Sequence, residues 1–377
     1  MTKLPLVTIF LILIAIITCD FKTKKSGPND QSYITENVSF FNTKDNIKIR
    51  GTLTYPIIKG PFPFIVLVPG SGQSNRDGSE NGRLRPLYEI ADYLTKNGMA
   101  VLRCDKRGVG ESSGTLDFNT TFDDLVSDIT ASIDYVKQRR EYDKSNLGLI
   151  GYSYGGIIAA QASIERPEIS FVVMMGSPGL KNGQILYQQI GDIARSFRIT
   201  DITILKFQEI INQTSKILNS NENPDRKCDL IESMYKNKIA YITENEIKTI
   251  ERIGYRFSSD PTTYSKGVTT PYWYEFYTLD PHSILSEVKC PLFSIIGEKD
   301  LQVRPEFNQP AIEDALKSTD NNNYTIMTPL GYNHLFQKTV TGSPDEYEKN
   351  TKTISPIILD IIRTWISKRI NPVSKTK

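Results

Sequence analysis

Residues 148–156 read GLIGYSYGG, and the reading of this stretch decides the fold. It begins inside the apolar run NLGLIG, which has the composition of a buried strand, and runs on into GGIIAAQASIE, a helix-like segment rich in small residues. Between them Ser153 stands two positions from Gly151 and two from Gly155. Glycines that merely punctuate a strand end, with a serine in the turn, account for such a pattern in many chains. The alternative is an abrupt strand-to-helix elbow that holds the serine at its tip in a strained conformation. There the two backbones approach too closely for side chains at the flanking positions. What separates the two readings is whether a base and an acid stand where the rest of the chain would bring them to that tip.

Outward from the elbow, strand-like and helix-like segments alternate with short connections. Upstream lie ENVSFFNTKDNIKIRGTLTYP, read as two strands joined at TKDN, and PFPFIVLVPGSG, an apolar run closing on Pro and Gly. The segments RLRPLYEIADYLTKNG, MAVLRCDKRGVGESSG and TFDDLVSDITASIDYVKQRR follow as helix, strand and helix. Downstream comes the buried strand ISFVVMMGSPG. This alternation predicts an α/β fold, a mostly parallel sheet covered by helices on both faces, with the opening strand pair as an antiparallel extension at one edge. From residue 179 the alternation stops. Consecutive helical segments and the aromatic piece PYWYEFYTLDP fill residues 179–285, which read as an inserted helical cap. Alternation resumes with CPLFSIIGEKD, EFNQPAIEDALKS, NNYTIMTPLGYNH and the amphipathic SPIILDIIRTWISKRI. The core is thus expected in two parts, 36–178 and 286–377.

The first 19 residues, MTKLPLVTIFLILIAIITC, have a basic start and an apolar run too short for a spanning helix, as in a signal peptide. We expect a signal peptide over 1–18, a linker over 19–35, and a lipid anchor on Cys19 that holds an extracytoplasmic protein to a membrane of the cell envelope. Thr18 departs from the small residue usual before a lipidated cysteine. With 377 residues, 39% of them hydrophobic and 23% charged, the chain is globular in composition. Its net charge of +2 supplies no field for nucleic acid, and Cys19, Cys104, Cys228 and Cys290 are spaced too widely for a zinc motif.

Only two histidines exist, His282 and His334. In the strand–elbow–helix architecture the acid and the histidine follow the serine in that order, each past a strand end. Asp300 follows the strand PLFSIIG, and His334 sits in LGYNHLF after the next strand; His282 precedes the acid strand and is out of order. Glu298 is a rival acid two residues before Asp300, nearer the strand end. Serine is a poor nucleophile until a base takes its proton, histidine can take and return that proton near neutral pH, and a carboxylate fixes the imidazole's tautomer. Acyl transfer also needs donors aimed at the developing oxyanion. The N–H of Tyr154, directly after the serine, is one candidate, and that of Ser71 or Gly72 in PGSG is the other.

The pieces VPGSGQSNRDG, DKRGVGESSG, GYSYGG, GEKDLQV and NHLFQ together resemble bacterial α/β-hydrolases of the esterase type that share a profile with serine aminopeptidases. The resemblance runs from about residue 36 to the C-terminus and is weakest in the cap. It implies the α/β-hydrolase fold, hydrolysis of small-molecule carboxylic esters with short acyl chains through an acyl-enzyme, and no metal or organic cofactor. It also implies that Arg107 braces the loop beside the site. Where the family usually has His, this chain has Pro69. Tyr272, Trp273, Tyr274 and Phe276 are candidate acyl-pocket residues as well as ordinary packing residues of the cap. An amidase or aminopeptidase would need a carboxylate for the substrate's ammonium, with Glu209, Glu232 and Glu246 as candidates. A non-catalytic binding protein on the same scaffold is a third reading.

Overall fold

The computed structural model describes residues 32–79, 83–318, 321–349 and 353–370. The signal peptide expected over 1–18, Cys19 and the linker up to residue 31 lie outside the described residues. The first strand, β1 (Tyr33–Asn42), takes in residues 33–35 of the expected linker and pairs along its whole length with β2 (Ile47–Pro56), Tyr33 opposite Pro56.

Eight strands form one sheet in the order β1-β2-β4-β3-β5-β6-β7-β8. The further strands are β3 (Phe62–Val68), β4 (Ala100–Cys104), β5 (Tyr142–Tyr152), β6 (Phe171–Met175), β7 (Leu292–Ile295) and β8 (Tyr324–Met327). β1, β2 and β4 pair antiparallel; every pairing from β4 across to β8 is parallel. All seven residues of β3 and all five of β6 are buried. Continuous apolar runs are what a strand needs when helices cover both of its faces. Alternate side chains accordingly divide: Phe64, Val66 and Val68 join one apolar cluster, while Ile65 and Leu67 join the other. The first cluster is shared with α2 (Phe122–Lys137), α3 (Gly155–Glu165) and α11 (Pro305–Lys317), and the second with α1 (Pro86–Lys96) and α12 (Pro356–Ser367).

The chain lays β4 on one side of β3 and then crosses through α2 to β5 on the other. That change of direction sends the connections from the carboxyl ends of β3 and β5 opposite ways, the switch point where ligands bind in such sheets. Between β6 and β7, which pair directly, seven consecutive helices intervene: α4 (Asn182–Ser196), α5 (Asp201–Leu218), α6 (Pro224–Ile239), α7 (Glu244–Glu251), α8 (Pro261–Val268), α9 (Pro271–Thr278) and α10 (Pro281–Leu285). Their own apolar face, including Phe207, Tyr235 and Tyr264, with Phe257 from the α7–α8 connection, is continuous with the first sheet cluster. Among the described residues no helix is long and apolar enough to cross a membrane.

Candidate active site

β5 ends in a steep turn. Ser153 has φ +55, a left-handed conformation that an L-residue keeps only when its surroundings impose it. The surroundings are backbone. A Cβ on Gly151 would lie 2.3 Å from the Gly155 carbonyl oxygen, and one on Gly155 would lie 2.3 Å from that of Val68. The Ser153 N–H donates to Met175 O at 2.7 Å, tying the tip to the end of β6. Tyr154 then opens α3, so its N–H belongs to the unsatisfied first turn of a helix, where a negative charge is favoured.

The loops after β7 and β8 bring the other two groups together. His334 Nδ1 and Asp300 Oδ2 are 2.7 Å apart, with Asp300 fully buried and His334 4% exposed. Asp300 Oδ1 accepts from the backbone N–H groups of Gln302 and Val303, each at 2.8 Å, so the carboxylate is held at both oxygens. The histidine loop is organised by buried Asn333, whose Oδ1 accepts from Leu335 N and Gln337 N at 3.0 Å each. Phe336, fully buried at φ +57, locks the same turn, and the Tyr152 hydroxyl donates to His334 O at 2.8 Å.

Gly176, one residue past β6 and with φ +59, lies against the imidazole–carboxylate pair. A Cβ there would sit 3.2 Å from His334 Nδ1 and Cε1 and 3.5 Å from Asp300 Oδ2, and the preceding Met175 carries the Ser153 contact. Among the described residues no hydrogen bond joins Ser153 Oγ to the imidazole; such contacts are often long before substrate arrives. The rivals lie elsewhere. Exposed Glu298 accepts from Gly331 N at 2.8 Å and steadies the histidine loop from outside. The His282 imidazole is 3.6 Å from Asp314 and largely exposed.

The PGSG loop lies against the elbow: a Cβ on Gly70 would be 3.1 Å from Ser153 Cβ. Lys106 Nζ donates to Gly70 O and, at 2.6 Å, to Gly72 O. Nothing in the sequence marked Lys106, because a backbone carbonyl as partner leaves no residue signature. Gly72, at φ +80, turns its N–H toward the hydroxyl of Tyr272 on α9; burial pushes that phenol up to about 12, and the facing N–H opposes the rise. Buried Arg107 binds Asp45 and Asp128 at 2.8 Å and Asp124 at 3.2 Å, clamping the β1–β2 turn to α2.

α9 divides its aromatic residues. Phe276 lies with its ring centroid 5.5 Å from that of Tyr154, and Tyr272 stacks on Phe276 at 6.2 Å. Trp273 meets Phe276 edge-on, whereas Tyr274 faces α6, where its hydroxyl accepts from Lys227 at 3.3 Å. Glu275 accepts from Phe122 N at the start of α2; burial raises its carboxyl, the Phe122 N–H opposes this, and Asp123 and Asp124 add to it. Of the carboxylates proposed for an ammonium, Glu209 is with Gln213 and Lys238, Glu232 with Thr262 and Ser265, and Glu246 with Lys206 and Thr243. Among the described residues no group of three His, Cys, Asp or Glu is placed to hold a metal ion.

Residues 84–327 match the profile of the family described as serine aminopeptidase, S33. The chain is 24% identical over 324 residues to esterase EstD of Thermotoga maritima, a match that takes in 85% of this chain and 66%, just under two thirds, of that relative's length. Among solved structures it is similar to the Pyrococcus furiosus esterase Pf2001, with a TM-score of 0.51 and 18% identity over 91% of this chain and 96% of that one. It is also similar to DcsB, solved in complex with its substrate analogue, with a TM-score of 0.53 and 19% identity over 89% of this chain and 99% of that one. The matching profile covers more than half of the chain, which belongs to the serine aminopeptidase S33 family and has the α/β-hydrolase fold.

Proposed function

We propose that this protein is a serine hydrolase that cleaves small carboxylic esters, those with short acyl chains first, through Ser153, His334 and Asp300. One observation carries the reading: a buried imidazole–carboxylate pair, 2.7 Å apart, lies beside Gly176, and the preceding Met175 carbonyl accepts from the N–H of left-handed Ser153. In this mechanism His334 Nε2 takes the Ser153 hydroxyl proton as Oγ attacks the acyl carbonyl carbon. Asp300 holds the Nδ1 proton and stabilises the imidazolium. The negative carbonyl oxygen is received by the N–H of Tyr154 and a second N–H from the PGSG loop. Collapse breaks the ester C–O bond and His334 returns its proton to the leaving alcohol. Water, deprotonated by His334, then attacks the acyl-enzyme and releases the acid.

Support for an ester over an amino-terminal amide comes from the surroundings. The rings of Phe276, Tyr154 and Tyr272 gather beside the nucleophile, and the three carboxylates considered for an ammonium already have partners within the helical insertion. The test is turnover of p-nitrophenyl acetate and butyrate by the full chain beside its Ser153→Ala variant, with aminoacyl p-nitroanilides in parallel. The expected result is ester turnover by the parent alone. Full activity in the variant ends the proposal, faster amide turnover moves it to the peptidase reading, and no labelling by a fluorophosphonate favours a binding protein. We further propose an envelope location through a lipid on Cys19, which incorporation of labelled palmitate into the parent but not into Cys19→Ala would support.

A further inference from the structure

The contact that the mechanism has not used is the one between Lys106 and the PGSG loop. Lys106 follows β4, and its ammonium donates to two carbonyl oxygens of that loop, Gly70 O and Gly72 O. Two carbonyl dipoles that converge on one point repel each other unless a cation stands between them, so the loop keeps this shape only with the ammonium in place. Its backbone is itself well held: the Asp105 N–H donates to Arg50 O at 2.9 Å, and the Asp105 carboxylate accepts from Arg76 N at 2.7 Å and from Glu111 N at 3.0 Å.

The strand order gives this contact a direction. β3, which leads into the loop, has β4 on one side and β5 on the other. Lys106 therefore draws the Gly70 carbonyl toward the β4 side. A trans peptide is planar, with its N–H opposed to its C=O. The N–H across that peptide bond is the one of Ser71; opposed to a carbonyl drawn toward the β4 side, it would face the β5 side, where Ser153 stands. Gly70 already lies against Ser153, since a Cβ on it would be 3.1 Å from the serine's own. A cation on the carbonyl end of a peptide also polarises it and makes its N–H a stronger donor.

We propose that Lys106 is a positioning residue for the hydrolysis: its ammonium holds the Gly70–Ser71 peptide so that the Ser71 N–H faces the oxyanion that forms on Ser153 attack. The inference rests on the ester-hydrolase reading above. It acts through a peptide group and makes no contact with the substrate, so its signature is a loss confined to the transition state.

The experiment compares the full chain with Lys106→Met, Lys106→Arg and Ser153→Ala on p-nitrophenyl acetate, with kcat and KM determined separately. Lys106→Met is expected to lose about 30- to 100-fold in kcat with KM within about threefold, somewhat less than the loss of a whole oxyanion donor. Lys106→Arg, which can still donate to two carbonyls, should regain all but about fivefold. The Met variant should also lose a similar factor in affinity for an alkyl trifluoromethyl ketone, whose adduct with the serine bears the oxyanion, but little for the non-hydrolysable ether analogue of the ester. A folded Met variant with kcat within about threefold of the parent, or a loss that falls on KM alone, overturns the inference. Should Lys106→Met not fold, Lys106→Gln, a neutral donor, reads the same kcat-against-KM split. An active Ser153→Ala variant would instead bring down the hydrolase reading itself; an inactive one beside unimpaired Lys106 variants would bring down this inference alone.

Discussion

The sharpest consequence of the site's geometry concerns Asp300→Asn, which alters one atom of the side chain. Asp300 Oδ1 accepts two backbone N–H groups at 2.8 Å each, from Gln302 and Val303, while Oδ2 faces His334 Nδ1 at 2.7 Å. An asparagine here has one oxygen to offer. Turning its amide nitrogen toward the two N–H groups would leave two buried donors without an acceptor, at about 1–3 kcal/mol each. The oxygen therefore stays at the Oδ1 position and the amide N–H₂ lands opposite Nδ1. A donor facing Nδ1 forces the imidazole into the tautomer with its proton on Nε2, and a protonated Nε2 cannot take the serine's proton. The loss of the correct tautomer costs on the order of 10³- to 10⁴-fold in kcat, or about 4–5.5 kcal/mol of transition-state stabilisation. The assay is kcat and kcat/KM on p-nitrophenyl acetate at pH 7.5, with circular dichroism and thermal melting to establish that the variant is folded. A folded Asp300→Asn protein that keeps more than about a tenth of the parent kcat would refute the tautomer argument and the role given to Asp300.

Three further outcomes follow from other contacts. Gly155→Ala should destabilise by at least about 2 kcal/mol and abolish most ester turnover, since its methyl would sit 2.3 Å from Val68 O and 2.5 Å from Pro69 O; urea denaturation and turnover check both. Arg107→Met strands three carboxylates, Asp45, Asp124 and Asp128, and should cost about 3–5 kcal/mol at pH 7. Asp124 is held below its ordinary value despite burial, through Thr121 and Arg107, so its share of stability exists above the unfolded carboxyl pKa and fades in acid; the deficit in urea midpoints should narrow as pH falls below about 4. Glu246 is held at about 2: burial alone would raise it, but Lys206, Thr243 and Thr203 outweigh that. Its contribution is complete above the unfolded value of 4.5 and is lost toward 2, so Glu246→Gln should cost about 1 kcal/mol at pH 7 and progressively less through that window, read from melting curves.

How far the sequence discloses these features depends on whether their cause is local. The elbow is legible because its requirement is steric and falls on neighbours: Gly151 and Gly155 are demanded by backbone contacts a few residues away. The parallel sheet is legible because β3 and β6 must be apolar on both faces. The preference for Asp300 over Glu298 is legible as distance past a strand end, and the 2.7 Å contact to His334 follows from adjacent parallel strands delivering both loops to one edge. The start of β1 at Tyr33 is less visible, since its first residues are half-exposed or exposed and are held by pairing with β2. The orientation of the aromatic residues on α9 is not visible at all: Phe276 reaches Tyr154 while Tyr274 turns to Lys227, a division set by how seven helices settle on one another. Lys106 escapes for a different reason, because its partners are main-chain oxygens that any residue supplies.

The point of insertion of the helical block has its own consequence. β6 and β7 are bonded edge to edge, Val172 beside Leu292 and Met175 beside Ile295, as if nothing stood between them in the chain. An excursion that leaves and rejoins neighbouring strands can lengthen cheaply, since each doubling of a closed loop adds only about 0.6 kcal/mol of entropy. Gly176 and Asp300 bracket that excursion, one at its exit and the other just past its return, so the chemical groups stay in sheet register whatever the block contains. The arrangement makes this part of the chain a replaceable module, a place where descent or a protein engineer can graft a different roof without rebuilding the floor.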